Sequence, residues 1–238
     1  MTLHVLPDRT GSAAENMALD FLLLQRYPEP QALRFRHYNW HRPAFTFGYS
    51  QKIAWVSGQL PPGESFDLCR RPTGGGVVDH RQDWTYALIL PRGHPWEELP
   101  APQSYRGVHE CLATALRLQA IPAGLKPPAA ATPPAGGQAP GVCFQSTEIH
   151  DVIHELSGEK IAGGAQKRNK HGLLFQGSIA QAAAGPAMDW DRFHADFTAE
   201  LARALSCEAE PVPWPDLAES EVEGLIEQYA APEWTAQR

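Results

Sequence analysis

Apolar and polar positions along the chain fall into helix-length and strand-length stretches whose order is mixed. Residues 12–26 place Met17, Leu19, Phe21, Leu22, Leu23 and Leu24 behind a Ser12 to Glu15 capping box, which predicts an amphipathic helix near the N-terminus. Residues 32–38 alternate apolar and polar side chains as a half-buried strand does, and residues 43–49 read as the next strand. A short helix or turn is expected over 51–57 and a strand over 66–70. Residues 83–90, rich in aromatic and β-prone side chains and closed by Pro91, form a further strand. Val108, Cys111, Leu112, Ala115, Leu116 and Leu118 recur at spacings of three and four, so 104–119 is a second long helix with Cys111 on its apolar, unreactive face. Residues 121–142 are dominated by Pro, Ala and Gly and predict a flexible loop without regular structure, of the kind that acts as a lid. Beyond it, two strand-like pieces meet at the turn 157–159, 172–180 is another strand, and helices follow over 190–205 and 219–229. Helix, sheet, helix, sheet, helices is an α+β order, not an alternating βαβ one.

With 238 residues, 43% hydrophobic and 20% charged, the chain is expected to form one globular domain over 1–238. It holds no apolar run near the ~20 residues that span a bilayer, and its first residues lack a signal peptide's basic and apolar regions, so a cytoplasmic protein without a membrane partner is expected. The net charge of −7 argues against a general nucleic-acid binder. Charge is uneven, however: Lys160, Lys167, Arg168, Lys170 and His171 crowd together, with Arg70 and Arg71 as possible neighbours. Such a patch suits an acidic carrier protein or a phosphate-bearing ligand, and is equally what a solvated loop shows. Cysteines 69, 111, 143 and 207 have neither CxxC nor zinc-like spacing, which points to free thiols, one of them a candidate nucleophile. His150 and His154 lie in irregular or extended chain, where four residues span ~13 Å and one ion cannot bridge them.

The chemistry gathers around Cys69-Arg70-Arg71-Pro72-Thr73-Gly74-Gly75-Gly76-Val77-Val78-Asp79-His80. Three glycines in a row permit positive φ and close backbone approach to a ligand, and two arginines stand beside them. The spacing fits neither GxxxxGK[ST] nor GxGxxG. Taken alone, the glycines are compatible with a plain turn between strands.

Arg70-Arg71-x-x-Gly74-Gly75-Gly76-x-Val78-x-His80, then Gly158-x-Lys160-Ile161-x-Gly163-x-Ala165-Gln166-x-Arg168 and Gln176-Gly177-Ser178, resemble the lipoate-protein ligase A and octanoyltransferase family. Asn16-Met17-Ala18-x-Asp20, Arg34-x-x-x-Tyr38-x-Trp40, Gly48-Tyr49-Ser50-Gln51, Ser104-Tyr105-Arg106 and Tyr229-x-x-Pro232-Glu233-Trp234 follow the same family order. The resemblance implies a biotin/lipoate protein ligase-like catalytic domain of mixed or antiparallel sheets flanked by helices. It also implies one of two chemistries. Ligases activate free lipoate or octanoate with ATP and magnesium; octanoyltransferases take octanoate from an acyl carrier protein thioester through a cysteine and need no cofactor. Gly141-Val142-Cys143-Phe144 is similar to the nucleophile element of the cysteine-dependent transferases, and the C-terminal accessory domain of large ligases is not expected here.

The resemblance therefore implies Cys143 and Lys160 as catalytic residues. It implies Arg70, Arg71, Gly74, Gly75, Gly76, His80, Gly163, Ala165, Gln176, Gly177 and Ser178 as substrate-binding residues, and no metal site. The expected partners are octanoyl acyl carrier protein and a lysine on a lipoyl domain or glycine-cleavage carrier protein. Chemically, a thiolate exchanges readily with a thioester, and a cation such as Lys160 or a nearby histidine favours the thiolate. Lys160 can equally polarise the acyl carbonyl or, in a ligase, bind phosphate. Taken by itself Cys143 is also compatible with a buried apolar thiol. Val77, Val78, Trp84 and Tyr86 are expected to wall a tunnel for the alkyl chain, with glycine N–H groups near the thioester oxygen. Two positions depart from the family pattern: Gln176 replaces a usual histidine, and Gly164 replaces a usual serine. An ATP-dependent ligase and a catalytically weak acyl-binding or carrier-docking protein are the alternative functions.

Overall fold

The computed structural model describes residues 1–128 and 148–237. Cys143 and most of the Pro/Ala/Gly-rich stretch lie outside the described residues. The first half runs β1 (Thr2–Gly11), α1 (Ala13–Gln25), β2 (Leu33–Trp40), β3 (Ala44–Phe47), α2 (Ile53–Ser57), β4 (Asp67–Arg70), β5 (Val77–Asp79), β6 (Asp83–Pro91), α3 (Pro95–Glu98) and α4 (Ala101–Leu118). The second half runs β7 (Ala123–Leu125), β8 (Val152–His154), β9 (Lys160–Asn169), β10 (Gly172–Ala180), α5 (Gln181–Ala184), α6 (Trp190–Ala204), β11 (Glu208–Pro211), α7 (Glu219–Ala230) and α8 (Pro232–Thr235).

Eight strands form one sheet in the order β11-β1-β2-β6-β10-β9-β8-β7, and β4-β3-β5 form a second, smaller one. β1 pairs in parallel with β2 and β11, whereas β2, β6, β10, β9, β8 and β7 pair antiparallel in turn. The α+β expectation with a mixed sheet therefore holds.

Alternation along the central strands gives the large sheet two apolar faces. Phe35, Tyr86, Leu88 and Phe175 on one face pack with Val108, Leu112 and Leu116 of α4 and Phe193, Phe197 and Leu201 of α6. Tyr38, Ala87, Ile89 and Leu174 on the other pack with Met17, Ala18 and Leu23 of α1 and with Tyr229 of α7. Because both faces are covered, Leu33 to Tyr38 are all buried, and β2 is not the half-buried strand that its alternation predicts. Its polar positions are the buried Arg34, Arg36 and His37.

Two further expectations are corrected. α1 is buried on most sides instead of along one stripe, since it lies between the sheet and α7. Its capping box is present as predicted: Ser12 Oγ accepts from the Glu15 N–H and Glu15 Oε2 from the Ser12 N–H. Within the expected loop, Ala123–Leu125 forms a strand on β8, and its pairing partner lies some thirty residues further along. β1 has no counterpart in the sequence reading. Pro7 and the polar residues after it obscure the strand pattern, and the register shift between Leu6 and Arg9 absorbs the irregularity.

Candidate active site

The glycine turn joins β4 to β5, which flank β3 and do not pair with each other, so it is not a hairpin. Gly75 has φ +90°, a backbone state that side chains rarely adopt. Arg71 holds the turn shut: its Nε and Nη2 donate to the Gly74 carbonyl at 3.1 and 2.6 Å, Nη2 to the Gly76 carbonyl at 3.0 Å, and Nη1 to Thr46 Oγ1 at 3.3 Å.

Arg70 points elsewhere. Its guanidinium donates to the carbonyls of Tyr49, Gln51, Trp234 and Thr235, while the Trp234 indole donates back to the Arg70 carbonyl. Arg70 thus clasps the C-terminal α8 to β4 and does not line the cavity described below. Both arginines are buried, so neither is a surface neighbour of the basic cluster, as the sequence had left possible.

Between the two sheets and α1 lies a cavity with about 430 Å³ of empty space, its mouth included. It is lined by Met17, Tyr38, Thr46, Arg71, Val78, His80, Thr85, Gly163, Gly164, Ala165, Gln176, Gly177 and Ser178. Seven of the sequence-predicted residues thus meet here: Arg71, His80, Gly163, Ala165, Gln176, Gly177 and Ser178. The glycine turn adjoins them, since a Cβ on Gly75 would lie 3.9 Å from that of Ala165. Of the four expected wall residues only Val78 lines the cavity. Trp84 and Tyr86 face α4 and α6, because Thr85 between them faces the cavity and neighbours in a strand point oppositely. Val77 packs with Phe45, Phe47 and Val56.

Two buried polar networks support the lining. Gln176 Nε2 donates to Asp20 Oδ2 at 2.6 Å, and its Oε1 accepts from the Thr73 hydroxyl at 2.7 Å. Asp20 in turn holds Arg36 at 2.7 Å and accepts from the Tyr38 hydroxyl at 3.1 Å. In the second network, Asp83 Oδ2 accepts from Ser178 at 2.5 Å, from Thr85 at 2.8 Å and from His80 Nδ1 at 2.7 Å. A carboxylate only accepts, so Nδ1 carries a proton toward Asp83, while Nε2 lies 2.7 Å from the Thr46 hydroxyl.

Lys160 opens β9 and is buried, its Nζ 2.8 Å from Asp151 Oδ2. A Cβ on Gly163 would fall 2.8 and 2.9 Å from Lys160 Cε and Nζ, so the bare glycine lets the amino group reach the cavity wall. His109 packs on Tyr105, with ring centroids 4.1 Å apart. Burial lowers its pKa to about 4, so it is neutral near pH 7 and Lys160 supplies the local cation. Cys69 and Cys111 are buried, and burial pushes both thiols up to about 12, away from nucleophilic use. Burial raises the Cys207 thiol as well. Among the described residues no group of three metal-ligating side chains occurs, and no helix is long and apolar enough to cross a membrane.

Asp20, Asp83 and Asp151 organise the site, yet the sequence assigned none of them a role. Asp20 stands in a family-ordered motif and offered a usable signal; the other two did not. The two departures from the family pattern have local reasons. Gln176 satisfies Asp20 and Thr73 together, and a Cβ on Gly164 would come 2.6 Å from the Phe175 ring.

Gly177 is the tightest glycine of the lining, since a Cβ there would lie 2.2–2.5 Å from Cζ, Cε1 and Oη of Tyr86. Tyr86 is packed among Phe35, Phe175 and Phe197 and has no space to retreat. Gly177→Ala is expected to lower stability by about 1–3 kcal/mol in urea titration. A loss below about 0.5 kcal/mol, the size of a neutral surface change, would show that the ring moves aside freely.

Comparison with known proteins agrees with this geometry. Residues 12–189 match the family described as the lipoyl protein ligase A/B catalytic domain. Octanoyltransferase LipM of Anoxybacillus flavithermus is 33% identical over 174 residues, 71% of this chain and 61% of that protein. Octanoyltransferase LipM of Bacillus subtilis is 32% identical over 186 residues, 75% and 65% of the two chains. The chain thus spans about three-fifths of the length of the curated relatives it matches. Among solved structures, a lipoate-protein ligase A bound with ATP superposes with TM-score 0.73 at 15% identity over 99% of both chains. A bi-partite lipoate protein ligase from Thermoplasma acidophilum, studied with its E2 lipoyl domain, gives 0.70 at 16% identity over 99% and 96%. A mixed sheet with helices on both faces, a glycine turn closed by an arginine and a buried lysine at the cavity wall accompany that sequence match, and the chain belongs to the lipoyl protein ligase A/B catalytic domain family.

Proposed function

We propose that this protein transfers an octanoyl group from acyl carrier protein to a lysine on a lipoyl domain or glycine-cleavage carrier protein, through an acyl-cysteine at Cys143 in the cytoplasm and without a nucleotide or metal cofactor. The observation that carries the reading is the buried Lys160 lying against Gly163, a residue of the cavity wall that Met17, Tyr38 and Val78 make largely apolar. Relatives of this chain are named octanoyltransferases, and three of its four cysteines have thiols raised by burial. The chain leaves the described residues after 128 and returns at 148, where the Glu148 N–H donates to the same Asp151 that pairs with Lys160. Cys143 stands five residues before Glu148, a span of at most about 17 Å, so covalent reach allows it to serve this site.

The chemistry is two acyl transfers. The Cys143 thiolate attacks the donor carbonyl, the C–S bond to the carrier breaks, and the carrier sulfur leaves as thiolate. The acceptor amine then attacks the acyl-enzyme carbonyl, the bond to Cys143 breaks, and the nitrogen gives up one proton as the amide forms. Lys160 favours the thiolate in both steps. Burial of the alkyl chain against Met17, Tyr38 and Val78 provides binding at about 0.8 kcal/mol per CH₂.

The test is to weigh the intact protein by mass spectrometry after incubation with octanoyl acyl carrier protein. An octanoyl adduct on the parent, absent from Cys143→Ala, is the expected result. An adduct that persists in Cys143→Ala excludes the acyl-cysteine. Pyrophosphate release from ATP and free octanoate, with no adduct in either protein, identifies a ligase instead.

A further inference from the structure

One register row of the large sheet floors the cavity. Gly163 of β9 pairs with Ser178 of β10, Ser178 with Thr85 of β6 and Thr85 with Tyr38 of β2, and all four line the cavity. Directly paired residues share a face, so the row is a straight track across four strands, about 14 Å long at three interstrand spacings. Its two ends differ. At β9, Gly164 and Ala165 are half-exposed and the exposed Gly75 adjoins Ala165, whereas the other lining residues are buried. The cavity therefore opens at β9, where Lys160 lies against Gly163, and is closed at β2.

Tyr38 closes it. Its hydroxyl donates to Asp20 Oδ2 at 3.1 Å, the Arg36 guanidinium lies over its ring at 4.0 Å, and Trp40 meets it edge-on with centroids 5.5 Å apart. Met17, one turn before Asp20 on α1, packs in the same cluster. Held from its own strand and from α1, the ring has no route aside. Along the track, the Ser178 and Thr85 hydroxyls are already committed to Asp83 Oδ2, so an alkyl chain laid over them strips neither of its partner.

We propose that Tyr38 sets the length of the acyl group: the carbonyl stays at the β9 end, the alkyl chain follows the row over Ser178 and Thr85, and its terminal methyl stops on the Tyr38 ring. The inference deepens the octanoyl-transfer reading and rests on it for the chemistry at the carbonyl. With C–C bonds of about 1.5 Å in zigzag, an extended octanoyl group measures about 9 Å from carbonyl carbon to methyl. Two strand spacings, from Gly163 to Thr85, cover about the same distance, which brings the methyl to the next side chain of the row. Two further methylenes would overlap the ring.

Photolabelling of the parent protein tests the stop without any transfer. Octanoic acid with a diazirine at the carbon before its methyl is irradiated in the presence of the protein, and the labelled peptides are sequenced. Label on residues 33–40 or on Met17, displaced by excess octanoate, is expected. Label confined to other segments, or none that octanoate displaces, overturns the proposal. Because the probe is the free acid, this readout stands whether or not Cys143 takes the acyl group.

The second readout is kcat/KM for hexanoyl, octanoyl, decanoyl and dodecanoyl carrier thioesters. Tyr38→Leu shortens the wall, and the decanoyl-to-octanoyl ratio is expected to rise roughly tenfold, the worth of two newly buried CH₂ groups. Tyr38→Phe retains the ring and is expected to keep the parent's order of preference. Asp20 keeps Arg36 at 2.7 Å and Gln176 at 2.6 Å when the phenol is removed, so its charge is not stranded. A Tyr38→Leu protein that slows all four chains by one factor would make Tyr38 purely structural and overturn the proposal. Should that variant fold poorly, the photolabel on the parent carries the test.

Discussion

Asp20→Ala is expected to destabilise the protein by about 3–5 kcal/mol in chemical denaturation, the cost of leaving a buried charge without its partner. The Asp20 and Arg36 side chains are both 0% exposed, with Arg36 Nε 2.7 Å from Asp20 Oδ1. Arg36 keeps its bonds to Asn16, through the carbonyl at 2.7 Å and Oδ1 at 3.4 Å, and its guanidinium stays over the Tyr38 ring at 4.0 Å. None of these neutralises it. The damage also reaches the site, since Asp20 Oδ2 anchors Gln176, and Gln176 lines the cavity between Met17 and the glycine turn. A weaker hold on the acyl chain is therefore expected alongside the lost stability. The double change Asp20→Leu with Arg36→Met removes both charges and is expected to cost less than Asp20→Ala alone, because desolvation of the pair offsets most of its attraction. A single-mutant loss under about 1 kcal/mol, in the range of an exposed pair, would mean that water reaches Arg36 and that the seal over α1 is incomplete.

The same residues show how far the sequence carries. Local signals translated directly. The capping box of Ser12 and Glu15 started α1 where expected, and the strand over 172–180 appears as Gly172–Ala180. Those features depend on neighbours along the chain. Orientation in the sheet did not translate. The alternation in β6 shows that Trp84 and Tyr86 share a face, but which face meets the cavity is set by strands β2 and β10 on either side, paired at Thr85 with Tyr38 and Ser178. Arg70 is a similar case: an arginine in a glycine motif reads as a ligand until α8, 164 residues away, presents its carbonyls. The supporting carboxylates were least legible. Asp83 and Ser178 are 95 residues apart, and Tyr105 and Asp151 are 46 apart, so no spacing rule could join them. Motif resemblance recovered most of the cavity lining because it encodes those distant contacts implicitly.

Acid is expected to unfold this protein through His109, and the expected size is about 3 kcal/mol between pH 6.5 and pH 4. His109 is fully buried on α4, donates through Nδ1 to the His150 carbonyl and has no partner at Nε2. Burial lowers its pKa from 6.5 to about 4, with Lys160 and His150 adding smaller pushes in the same direction. Between those two values the unfolded chain binds a proton that the folded chain refuses, so stability falls as pH falls. The contribution is complete above pH 6.5 and is lost as pH drops toward 4; a difference of about 2.5 units at 1.36 kcal/mol each sets the magnitude. His37 and His194 are also lowered by burial and act with the same sign. The measurement is urea stability at a series of pH values for the parent and for His109→Asn, whose amide can keep the bond to the His150 carbonyl without titrating. The variant is expected to lose about 3 kcal/mol less than the parent across that interval, whatever its stability at neutral pH. Equal slopes would show that His109 takes up its proton without unfolding, and would place a charge beside Lys160 in acid. The outcome bears on the site as well as the fold, because Tyr105, His109 and Phe175 pack together and Tyr105 holds Asp151. Protonating His109 therefore loosens the seat of Lys160 before the rest of the sheet gives way, and transfer activity is expected to decline at a higher pH than the loss of helical signal.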